Sequence, residues 1–174
     1  MTDILFQHKK TDKQFAFAAN LHWLQDNMCV MEAVDVNGQL HIATPEKFGG
    51  TGADWSAEHL FLGAICSSFM TTYIAYTKKM QFSITHFEID VIGQIQIIKG
   101  IYQFTHINIY PKIFIIDKLL KLKATQALKK TQKNCLVANT IKAAIIYHPE
   151  IITDEKSTKS PIKLKNYRDT RITN

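Results

Sequence analysis

Three observations predict an α+β fold with antiparallel sheets. The 25-residue stretch Ser56 to Met80 is apolar on nearly every side. Two long segments of alternating character, Ser83–Ile98 and Ile101–Ile116, follow it, and shorter alternating segments precede it between Phe15 and Thr44. Strands joined in sequence-adjacent pairs around one long helix form an α+β architecture rather than a parallel α/β one.

Taken in order, residues 1–13 are polar and are expected to be loosely held. Phe15–Leu24 alternates as a strand does. Two further strands, at 28–36 and 39–44, flank Asn37-Gly38, a strong signal for a tight hairpin turn, so a three-stranded meander is predicted. Thr44–Trp55 carries Pro45, Gly49, Gly50 and Gly52 and reads as the loop that delivers the chain to the helix. Its glycines invite a phosphate-binding reading. No Lys-Ser/Thr pair follows them, and the spacing does not suit a strand–glycine–helix dinucleotide site.

In the long helix, Ser56 is placed to cap the first turn. Glu58 in the first turn and Lys78 and Lys79 in the last suit the helix dipole. Leu60, Phe61, Ala64, Ile65, Phe69 and Tyr73 include helical spacings, while Leu62, Ile74 and Ala75 fill other sides, as in a helix covered all round. Gly63, Cys66, Ser67, Ser68, Thr71 and Thr72 interrupt it before an apolar run of roughly 18 residues is reached, which argues against a membrane span.

The two long alternating segments meet at Lys99-Gly100 and predict an extended hairpin. Gly93 marks a bulge or close approach, and Pro111 belongs at an edge or at a break in pairing. Asp117–Lys133 returns to helical spacing, with Leu120, Ala124, Ala127, Leu128 and Thr131 on one face and the lysines mostly on a solvated one. Asn134 is placed to cap a short helix beginning CLVANTI, and a last strand is expected over Lys142–Ile151. One domain, 1–153, and a basic tail, 154–174, account for the chain. A meander and a hairpin are too little to enclose such a helix, so an intertwined homodimer sharing one core is expected.

Charge adds little to this. The net +6 divides into 15 basic and 12 acidic side chains in residues 1–153 and 6 and 3 in the tail, so neither a nucleic-acid nor a membrane partner is expected. MTDILFQHKK has no apolar run and no small-residue cleavage site, which points to the cytoplasm. Three cysteines there are expected to rest as thiols. The histidines show no ligand spacing, so no metal is expected, and no cofactor either.

Among the thiols, Cys29 reads as a strand filler and Cys66 as a small buried hydrophobe. A helix start at Asn134 would stabilise a Cys135 thiolate and make it the most reactive, with packing as the alternative role. Glu58 is either a first-turn carboxylate or a site residue, and His59 either an ordinary interface histidine or a pocket contact. Trp55, Phe61, Phe69 and Tyr73 are expected as core or pocket wall.

Two motifs carry a resemblance. AEHLF at Ala57–Phe61, continued by SSFM, resembles the P-E-x-L-F opening of the central helix in the OsmC/Ohr family, the osmotically inducible and organic hydroperoxide resistance proteins. KNCLVANTIKA at Lys133–Ala143 resembles that family's second-cysteine motif, and Thr44–Phe61 is similar to the TPxxFGGxGxxWSxEHLF segment of one subgroup. The resemblance covers residues 15–151 and implies a swapped homodimer with sites at the subunit interface. Its better-known members are thiol peroxidases. A peroxidatic cysteine attacks the hydroperoxide, a resolving cysteine closes a disulfide, and an arginine with a glutamate activates the first thiol.

Cys135 stands at the resolving position and Glu58 at the glutamate position. Ten residues after Glu58, where the resemblance puts the peroxidatic cysteine, the chain has Ser68. Cys66 is displaced by two residues, which turns it roughly 200° around the helix. Arg168 and Arg171, the only arginines, lie in the tail, so no arginine matches. Glu58 and Ser68 are roughly 15 Å apart along one helix, and antiparallel helices from two subunits would be needed to bring them together. Two functions follow: a hydroperoxide-related enzyme of weak or altered activity, acting on a small organic hydroperoxide through Cys135, with or without Cys66 after a rearrangement, or a non-catalytic protein binding a small apolar ligand at the dimer interface.

Overall fold

A computed structural model describes residues 14–153. The polar start, 1–13, and the basic tail, 154–174, with both arginines, lie outside the described residues. The described residues form two compact units that divide after Leu60.

The first unit is a meander of β1 (Ala19–Gln25), β2 (Met28–Ala33) and β3 (Leu40–Ala43), all antiparallel. Asp26, in the left-handed region at φ 46°, turns β1 into β2. The second connection differs from the tight Asn37-Gly38 turn that the sequence suggests. The β2–β3 ladder ends at Met31 and Leu40, and a longer loop begins with a turn closed by Val36 N–H to the Ala33 carbonyl at 3.2 Å. Gly38, at φ 104°, serves that wider loop. Every residue of β1 is exposed, while Val30, Ile42 and Ala43 are buried.

After β3, Glu46–Phe48 forms a 3-10 turn ending in Gly49. The amide N–H groups of Gly49, Gly50 and Gly52 donate to the carbonyls of Glu46, Pro45 and Thr44 at 3.0, 3.1 and 3.4 Å. A Cβ at Gly50 would lie 1.8 Å from the Thr44 oxygen, so the glycine permits the loop to fold on itself. With those donors used internally, the loop is no phosphate cradle.

The helix α1 (Ala57–Lys79) starts in the first unit and lies mostly in the second. By length and composition it is apolar enough to cross a membrane. Its contacts within this chain explain one face of it. Ile65, Phe69 and Tyr73, spaced by four, are fully buried among β5 isoleucines. Ala64, Ser67, Thr71 and Ala75 form an exposed stripe, so this chain by itself does not cover the helix all round.

In the second unit β4 (His86–Ile98) and β5 (Ile101–Ile115) make the expected long hairpin, turned by Lys99 and Gly100 in the left-handed region. Odd-numbered Ile107, Ile109, Ile113 and Ile115 face the core, as period-two alternation requires. The irregularity sits beside Gly93, where the register slips between Gln94 and Ile95 and leaves Thr105 of β5 unmatched. Gly93 itself allows close approach: a Cβ there would meet the Phe104 ring at 2.5 Å.

The purely antiparallel expectation needs correction. The single last strand is two, β6 (Ala144–Tyr147) and β7 (Glu150–Thr153), and both run parallel to β5 on the same edge, giving a mixed sheet. The reason is the crossover. Helix α2 (Lys121–Asn134) and the single turn α3 (Leu136–Asn139) carry the chain back along β5 before it re-enters the sheet. Pro111 falls opposite the gap between β6 and β7, where its missing N–H leaves no ladder bond unmade. Helix α2 follows a 3-10 turn, Lys118–Leu120, capped by the Asp117 carboxylate accepting from Leu119 N–H at 2.8 Å. Ala124, Ala127, Leu128 and Thr131 enter the core as the spacing predicts.

Candidate functional site

In the second unit the side chain of Ser68 leaves the flank of α1 one residue before the buried Phe69. Its Oγ lies 3.3 Å from Cys135 Sγ and accepts a hydrogen bond from Val137 N–H at 3.4 Å. Residues 67 positions apart in sequence are thus in direct polar contact, at the two places that the sequence motifs single out.

Cys135 is fully buried. It sits between α2 and α3 in extended conformation, its N–H donating to the Thr131 carbonyl at 2.9 Å and its carbonyl accepting from Asn139 N–H at 3.0 Å. The expected cap at Asn134 is therefore corrected. Asn134 is the last residue of α2, and its amide donates to the Lys130 carbonyl at 2.8 Å. The donor that reaches the site is Val137 N–H, and it goes to the serine oxygen rather than the sulfur.

Cys66, two residues from Ser68, is half-buried. Burial pushes its thiol up from the ordinary value, the negative charge of Asp90 adds to the effect, and a backbone hydrogen bond partly opposes it. All three cysteines are free thiols. Tyr147 of β6 is a neighbour that sequence reasoning missed. Its ring packs on Phe69 with centroids 5.8 Å apart, and burial followed by the nearby Cys135 raises its phenol. Only the alternation of β6 hinted at that inward position.

Phe61 stacks on Phe104 with centroids at 4.8 Å, and Phe69 and Tyr73 are core, so Phe69 is no pocket wall in this chain. The Tyr73 hydroxyl donates to the Ala124 carbonyl at 3.4 Å, and burial raises its phenol strongly.

The remaining candidates lie in the first unit. Ser56 is buried, and its Oγ accepts from His59 N–H at 3.3 Å and sits 3.0 Å from His59 Nδ1, fulfilling the predicted cap. The exposed His59 ring meets the half-exposed Trp55 edge-on, with centroids at 6.3 Å. One Glu58 carboxylate oxygen is buried without a hydrogen-bond partner among the described residues, a costly state that calls for a donor from elsewhere. Among the described residues no three His, Cys, Asp or Glu side chains are grouped to hold a metal ion.

The profile of the OsmC-like protein family matches residues 50–148, a span that holds Ser68, Cys135 and most of both motifs. No curated protein matches the chain in sequence. Solved structures with the same fold include an OsmC-like protein of unknown function from Vibrio cholerae, with TM-score 0.67 and 15% identity over 78% of this chain and 99% of that one. An organic hydroperoxide resistance protein OsmC from Legionella pneumophila gives 0.64 and 16%, over 80% and 98%. An organic hydroperoxide resistance protein from Elizabethkingia anophelis gives 0.65 and 13%, over 82% and 99%. At such identities the likeness is one of fold.

Proposed function

Because the chain belongs to the OsmC-like family, we propose that it is related to the thiol-dependent organic hydroperoxide reductases and lacks their two-thiol cycle, so that its peroxidase activity is weak or altered. One observation carries this reading: an oxygen, Ser68 Oγ, stands 3.3 Å from the buried Cys135 sulfur. In a dithiol peroxidase a thiolate attacks the hydroperoxide, the O–O bond breaks, an alcohol leaves and the sulfur becomes a sulfenic acid. A second thiolate then forms the S–S bond and water is expelled, and an external dithiol restores both thiols. A serine at the first position can do neither half of this. Turnover of the family's kind is left to Cys135, which is buried and meets a hydroxyl rather than a partner thiol across the α1 contact.

The exposed stripe Ala64, Ser67, Thr71 and Ala75 supports a homodimer in which two α1 helices cover one another. The unpartnered Glu58 oxygen favours the second reading, a non-catalytic role in which an interface pocket binds a small apolar ligand bearing a hydrogen-bond donor.

Purified, reduced protein is to be mixed with cumene hydroperoxide and dithiothreitol. The expected result is consumption barely above the background reaction, with a clear gain in Ser68→Cys. Efficient turnover by the unaltered chain that vanishes in Cys135→Ser would overturn the reading. A monomeric mass by light scattering at micromolar concentration would remove the dimer.

A further inference from the structure

We propose that the outer face of the segment Ile116–Lys133 docks on an anionic lipid bilayer, with Ile116, Leu119 and Leu122 entering the interface and the lysines holding the lipid headgroups. Sequence alone makes these lysines a solvated helix face; the exposure of the apolar side chains between them is what changes the reading.

Leu119 is 85% exposed, Leu122 69% and Ile116 66%, and they follow one another at three-residue steps around the start of α2. Two of them ride on a firmly held frame, because the Asp117 carboxylate caps Leu119 N–H and Leu120 N–H donates to the Asp117 carbonyl. Ala124, Ala127, Leu128 and Thr131 fix which side of α2 faces the core. Helical spacing then puts Leu122, Gln126, Lys129 and Lys133 on the line pointing directly outward.

Charge complementarity names the occupant. Lys118, Lys121, Lys123, Lys129, Lys130 and Lys133 are all exposed, and the one carboxylate in 116–133, Asp117, is engaged by Leu119 N–H. A surface with this much positive charge attracts an anionic partner, and protruding aliphatic side chains suit one with an apolar interior. A second copy of this face is disfavoured, since a two-fold contact would set lysines against lysines. Nucleic acid is the poorer fit because residues 116–133 hold no aromatic side chain on which a base could stack.

The test is co-sedimentation of the full-length protein with large unilamellar vesicles. Equimolar phosphatidylglycerol and phosphatidylcholine is compared with phosphatidylcholine alone. Binding is expected only to the anionic vesicles, and it should weaken as salt rises from about 50 to about 300 mM. Lys129→Glu/Lys130→Glu/Lys133→Glu and Leu119→Ser/Leu122→Ser should each lower binding at least about tenfold. Circular dichroism of both variants should match the parent, because every altered side chain is solvent-facing. No binding to the anionic vesicles, equal binding to neutral ones, or variants that bind as the parent does would overturn the proposal. So would a change of mass on light scattering of the leucine variant, or preferential retention on duplex DNA.

Discussion

Cys66 and Cys135 are both free thiols of the second unit, yet their surroundings set different chemistry. Cys66 is half-buried on α1, its ionisation opposed by burial and by the Asp90 charge. Cys135 is wholly buried on the other side of the contact with α1, and the group it meets is Ser68 Oγ at 3.3 Å. Two residues along a helix amount to roughly 200° of rotation. A sulfur at position 66 therefore does not reach the place that Ser68 Oγ occupies beside Cys135: direction, rather than proximity in sequence, decides which side chains meet.

The largest effect on this contrast is expected from Ser68→Cys. Air oxidation should then join the introduced thiol to Cys135, and closing so long a loop should raise unfolding stability by about 4 kcal/mol over the reduced form. Denaturant midpoints with and without reductant measure it. Adding Cys66→Ser to that variant should leave the disulfide intact, and a bond captured by Cys66 instead would show that the two thiols are not distinguished by direction. Next in size, Cys135→Ser buries a hydroxyl in place of the sulfur and should cost about 1–3 kcal/mol. Cys66→Ser, at a half-buried position, should cost under about 1 kcal/mol by the same measurement.

Alkylation and pH report the smallest effects. Iodoacetamide should modify Cys135 last, and mass spectrometry of digested protein gives the order. Burial and the Asp90 charge hold the Cys66 thiol above its ordinary range in the folded chain, so the folded state holds its proton more tightly than the unfolded one. Its contribution to stability is complete below the unfolded thiol range and is lost as pH rises through the folded value. Denaturant midpoints should therefore fall once the solution is alkaline enough to ionise an unfolded thiol, and less so in Cys66→Ser.

Much of this was legible in residues. The α1 boundaries, the Ser56 cap, the β4–β5 hairpin at Lys99-Gly100 and the inward face of α2 are local patterns, and each recurs in the structure. The turn at Asn37-Gly38 did not tighten, because the β2–β3 ladder stops at Met31 and Leu40, before the strands reach it. Asn134 could not cap α3 because α2 runs through it. Tyr147 beside Cys135 and Val137 N–H on Ser68 depend on how separate elements meet, so no local pattern announces them.

Residue order and identity were enough to establish the succession and type of the main elements, because periodicity is carried by neighbours along the chain. That β6 and β7 run parallel to β5, and that Ser68 and Cys135 touch, emerged with the folded chain alone. Strand direction follows from the path of the intervening crossover, and a contact across 67 residues from packing that no short stretch encodes.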